Sequence, residues 1–65
     1  MNGAEIDVLY KLAKVYPHGV DDGDLPSKRG RDSLWVTGLV RRDAYGGNYL
    51  TAKGYAAYQE RVGAK

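Results

Sequence analysis

The sequence predicts a small α+β domain of three helices, with a very short helix 2, and a two-stranded β-hairpin. Three observations predict it. Apolar residues recur at helical spacing near both ends of the chain, over residues 3–16 and 52–62. Between residues 39 and 51, two short strand-like runs flank Ala44-Tyr45-Gly46-Gly47-Asn48, whose Gly and Asn residues accept positive φ cheaply. Ahead of that hairpin, Ser27–Arg42 gathers five of the ten basic residues against the single acid Asp32, a local charge of +4.

The first helix follows from Asn2 and Glu5, spaced as an N-cap and its N3 carboxylate. Ile6, Leu9, Ala13 and Tyr16 form one stripe, widened by Tyr10 and Leu12, and Pro17-His18-Gly19 ends the helix near residue 16. Val8 and Val15 lie off that stripe. Val20 is a candidate strand of one or two residues. In Asp21-Asp22-Gly23-Asp24-Leu25-Pro26, an Asp caps at most a single helical turn. Ser27 or Asp24 caps the basic helix, which runs to about Thr37. Gly30 inside it costs near 1 kcal/mol relative to Ala, and Gly38 is placed to end it. Leu39–Asp43 and Tyr49–Thr51 read as strands with 44–48 as the loop. Thr51 caps a last helix over 52–62, with Tyr55, Ala56 or Ala52, Tyr58 or Gln59, and Val62 on its stripe.

Sixty-five residues make one domain, 1–65, that buries only roughly 60% of its unfolded surface. The formal charge of +2 hides a dipolar layout, because residues 1–26 carry two Lys against five acids. Such asymmetry speaks of partners rather than fold. There is no Cys, no apolar run of membrane-spanning length and no signal-peptide pattern, so a soluble, cytoplasmic protein without a membrane partner is expected. His18 is the only His, and no Ser is paired with a base, so the chain is read as not an enzyme and as needing no cofactor. Asp21, Asp22 and Asp24 echo the start of a calcium loop, but the rest of that pattern is missing. A solvated acidic turn that caps the next helix is the expectation, with no metal.

Two phrases, Gly38-Leu39-Val40-Arg41-Arg42 and Tyr49-Leu50-Thr51-Ala52-Lys53-Gly54, resemble those of winged helix-turn-helix domains in MarR-type and related bacterial regulators. There, a "GLV-R" phrase closes the recognition helix and opens the wing, and an "LT–G" phrase closes the wing and caps the next helix. The resemblance spans roughly residues 4 to 60. It implies a small bacterial or phage regulator, in transcription or recombination, that binds duplex DNA. Only about twenty residues separate Val20 from Val40, so helix 2 of that fold is one turn or absent.

On this resemblance the basic helix enters the major groove. Lys28, Arg29 and Arg31 face bases or phosphates there, and Ser27 with the helix start suits a phosphate. Arg41 and Arg42 alternate along the wing strand toward the backbone, and Tyr45, Asn48 or Tyr49 reach out from the wing tip. A homodimer through the C-terminal helix, by Tyr58 and Val62, would raise affinity, with Tyr55 assigned to the core and Tyr58 left open. Trp35 is assigned to the core, whereas an exposed Trp35 would mark a protein-binding hot spot. The competing expectation is a winged-helix module that binds protein through the acidic turn and exposed tyrosines, such as a small phage protein acting on a host complex. Basic residues clustered with the wing favour DNA. Basic residues paired with the Asp residues favour protein.

Overall fold

Asn2 opens the chain's first helix, α1 (Gly3–Ala13), with a complete capping box in the computed structural model, which describes residues 1–63. Asn2 Oδ1 accepts the Glu5 N–H at 2.9 Å and Glu5 Oε1 accepts the Asn2 N–H at 2.8 Å. The helix ends three residues before Tyr16. Pro17 has no N–H to extend the ladder, and the chain tightens into i→i+3 bonds, Val15 N–H to Leu12 O and Tyr16 N–H to Ala13 O.

A short strand, β1 (Val20–Asp21), leads into a 3₁₀ turn at Asp22–Asp24 and then α2 (Lys28–Val36). Helix 2 is thus a single 3₁₀ turn. Ser27, not Asp24, caps α2, its Oγ accepting the Gly30 N–H at 3.0 Å. Gly38 ends the helix at φ +82°. Its N–H reaches Trp35 O at 3.0 Å and the Leu39 N–H reaches Leu34 O at 2.9 Å, the two bonds of a Schellman motif.

The chain continues through β2 (Val40–Arg42), β3 (Gly47–Leu50) and α3 (Ala52–Gly63). The sheet is antiparallel in the order β1-β3-β2, with Val20 opposite Asn48 and Arg42 also opposite Asn48 on the other side. It therefore has three strands rather than the two of the expected hairpin. The loop is shorter than expected, closing over Ala44–Gly46. Asp43 Oδ1 accepts the N–H groups of Tyr45 at 2.8 Å and Gly47 at 2.9 Å, and Gly46 takes φ +85°. Gly47 and Asn48 consequently belong to β3.

The core joins Val8, Leu9 and Leu12 of α1 to Leu34, Leu39, Val40 and Leu50. Val8, read as off-stripe, is fully buried, while Ile6 is only half-buried and Tyr10 is exposed. The row of half-buried Ala4 and buried Val8 and Leu12 turns toward α2, whose Gly30 lies directly on the Ala4 carbonyl. A tyrosine seam joins α1 to α3: Tyr16 stacks on Tyr55 at 4.2 Å and Tyr10 meets Tyr58 edge-on at 5.1 Å. The start of α3 is held by Thr51, whose Oγ1 donates to Gly38 O at 2.8 Å and accepts the Gly54 N–H at 3.0 Å. The domain is of the α+β class and compatible with a small winged helix. No helix among the described residues is long and apolar enough to cross a membrane.

Candidate nucleic-acid interface

The buried side of α2 is Gly30, Arg31 and Leu34, so its outward face carries Lys28, Arg29, Asp32, Trp35 and Val36. These sit at i, i+1, i+4, i+7 and i+8, one helical stripe. Lys28 and Arg29 occupy the first turn and form no ion pair among the described residues. Lys53 Nζ lies 3.3 Å from Thr37 O, a cation at the carbonyl end of α2. Trp35 is not a core residue: it is 40% exposed, and Val36 is 85% exposed. The core stripe passes through Leu34, and the 100° step to residue 35 swings the indole to the rim.

Behind that face is a polar network centred on Asp22. Its Oδ1 accepts Arg31 Nη1 at 2.6 Å and Asn48 Nδ2 at 2.7 Å, and its Oδ2 accepts Arg42 Nη2 at 2.9 Å. Arg31 Nε also donates to Asp32 Oδ1 at 2.8 Å. Asn48 Nδ2 reaches Val20 O at 3.0 Å, and Asn48 Oδ1 accepts Arg31 Nη1 at 3.3 Å. Strand alternation explains the convergence, since Arg42 and Asn48 share the sheet face of Val40 and Leu50. Every buried side-chain nitrogen and oxygen among the described residues has a partner.

This network removes two of the nine expected contact residues. Arg31 is buried behind the helix with its Nε and Nη1 engaged, and Asn48 is 0% exposed rather than at the wing tip. Ser27 is spent on its cap, and Arg42 is half-exposed but paired with Asp22. Lys28, Arg29, Arg41 and Tyr45 remain exposed, with Tyr45 95% exposed at the tip of the hairpin. Arg41 shares the far sheet face with Tyr49. The acidic turn is not simply solvated, because Asp22 is internal to the network. Tyr58 packs on Tyr10 and Tyr55, whereas Val62 is exposed.

Asp22, expected in a solvated acidic turn that caps the next helix, is instead the centre of this network. Its partners lie 9, 20 and 26 positions away, so no local pattern announces them. The hydrogen bond from Asn48 and the Arg31 and Arg42 charges hold its carboxyl below the ordinary value, against the opposing pull of partial burial. Because the folded form binds the proton less readily than the unfolded chain, this contribution to stability is complete above the ordinary carboxylate value of about 3.9. It is lost as pH falls through the folded value. The urea midpoint is expected to drop below about pH 4, and Asp22→Asn should flatten that limb. An acid limb that is equally steep in the variant would refute the assignment.

No family model, curated protein or solved structure matches the chain. Function therefore rests on the chain's own residues.

Proposed function

We propose that this domain binds duplex DNA, with α2 against the major groove and the β2–β3 hairpin beside it as a wing. The observation that carries this reading is the outward face of α2. Its first turn presents Lys28 and Arg29, both exposed and in no ion pair among the described residues. A cationic helix start beside a projecting hairpin suits a phosphate backbone. Tyr45 at the tip, with the exposed Arg41 on β2, supplies the wing's contacts.

Binding by a monomer is weak and strongly salt-dependent. About three or four phosphate contacts give a slope of roughly −3 in log affinity against log salt. A second copy docked at the exposed Val62 of α3 would raise affinity without adding contacts per subunit.

The test is an NMR titration of the labelled domain with mixed-sequence duplex, at low and then moderate salt. Shifts should fall on Lys28, Arg29, Tyr45 and their neighbours and fade with salt. Lys28→Ala with Arg29→Ala should lower the slope by about 2 while leaving the fold intact. Absence of shifts at low salt would refute the reading. Protein docking is then the second reading, favoured by the pairing of Arg31 and Arg42 with Asp22 and by the exposure of Trp35 and Val36.

A further inference from the structure

The outward face of α2 changes character along its length. Its first turn is cationic, through Lys28 and Arg29, and its last turn is apolar, through Trp35 and Val36. Neither apolar side chain is needed by the core, which is closed by Leu34, Leu39 and Val40. Cations lie beyond both ends of this apolar pair: Lys28 and Arg29 about two turns away, past the exposed Asp32, and Lys53 Nζ at the carbonyl end of the helix. The one acid on the face, Asp32, is held by Arg31 Nε. An apolar patch framed by cations fits a surface that is anionic at its edges and apolar in its floor.

We infer that Trp35 and Val36 read thymine methyl groups in the major groove, so that the domain prefers duplex with thymine under the C-terminal turn of α2. The inference rests on α2 facing DNA, as proposed above. The C5-methyl of thymine is the one apolar group that unmodified base pairs display in the major groove. Lys28 and Arg29 then hold the backbone on one side while Lys53 approaches it on the other. The division of labour is between cations that position the helix and an apolar pair that selects sequence.

The chain has a single Trp, so its emission reports on this turn directly. The experiment compares two duplexes of equal length, alternating dA·dT and the same duplex with deoxyuridine in place of every thymidine. They differ at the major-groove methyl group alone. The thymine duplex should bind at least about fourfold more tightly, the factor for one buried methyl group, and should change Trp35 emission more. Trp35→Ala and Val36→Ser should each shrink the preference while the salt slope persists. Val36→Ser serves as the second variant because its side chain is almost fully exposed. Equal affinity for the two duplexes, with salt-dependent binding to both, would overturn methyl recognition and leave DNA binding standing. Binding to neither duplex at low salt would overturn both, and the apolar pair would then belong to a protein partner.

Discussion

Gly54→Ala is expected to unfold the domain, or nearly so, at 25 °C. A Cβ at this position would overlap the Leu39 carbonyl oxygen, lie 3.0 Å from its carbon and 3.1 Å from Leu50 Cδ2. The obstacle is backbone, and that backbone is pinned: Leu39 O also accepts the Thr51 N–H at 3.0 Å. Relief requires α3 to move off the sheet, at a cost of about 3 kcal/mol or more. A chain of this size has a total stability of roughly 3–10 kcal/mol, so the loss is about a third of it at the least and all of it at the low end. Gly30→Ala makes the same point with a sharper sign. Helix propensity alone predicts a gain near 1 kcal/mol, yet the new Cβ would overlap the Ala4 carbonyl where α1 crosses α2. It should destabilise. Gly3→Ala is the control, since a Cβ there meets nothing within 4 Å. Urea unfolding followed by circular dichroism decides the matter. A midpoint for Gly54→Ala or Gly30→Ala at or above that of the parent would show that the helices are not packed this closely.

Asn48→Ala is expected to cost about 3 kcal/mol, the sum of a buried cavity and broken hydrogen bonds. The amide is fully buried and links three elements: it donates to Val20 O and Asp22 and accepts from Arg31. Removal leaves the Val20 carbonyl and an Arg31 N–H without their partner. Arg31→Met should also destabilise, because it opens the same network. Lys28→Ala and Arg29→Ala, on the solvated face, should change stability by no more than about 0.5 kcal/mol. The four variants therefore separate structural cations from binding cations. If Arg31→Met kept the parent's urea midpoint and lost only DNA affinity, the buried role assigned to Arg31 would be wrong.

Much of this architecture was legible before any coordinates. The Asn2–Glu5 cap, the Thr51 start and the Gly38 stop are local chemistry, written within three or four residues, and all three act as read, while Ser27 is one of the two caps the sequence offers for α2. The site was less legible. Gly46-Gly47 marked a turn correctly, but the Asp43 carboxylate closes that turn two residues early and draws Gly47 and Asn48 into β3. The charge count over residues 27–42 was sound as arithmetic. It held no information on which cations are cancelled, because Asp22 lies outside the window and reaches Arg31 and Arg42 only through the tertiary fold. Trp35 was misplaced for a simpler reason. On a nine-residue helix the buried arc is filled by Gly30, Arg31 and Leu34, and no inward position remains for a second large side chain. The short strand at Val20 was legible, but its pairing with β3 as a third strand of the sheet joins residues 28 positions apart, which no local pattern announces.

The sheet order has a consequence for behaviour in concentrated solution. The longest strand, β3, is central, with β2 along one edge and β1 against Gly47 and Asn48 on the other. What faces outward is β1, with two residues ending in an acid, and β2, with three residues of which two are Arg. Strands this short and charged are poor templates for another chain. The folded domain thus keeps its exposed Trp35 and Val36 without presenting an edge on which copies could polymerise. Aggregation, where it occurs, should begin from the unfolded chain, when the Gly47–Leu50 segment loses both neighbours at once.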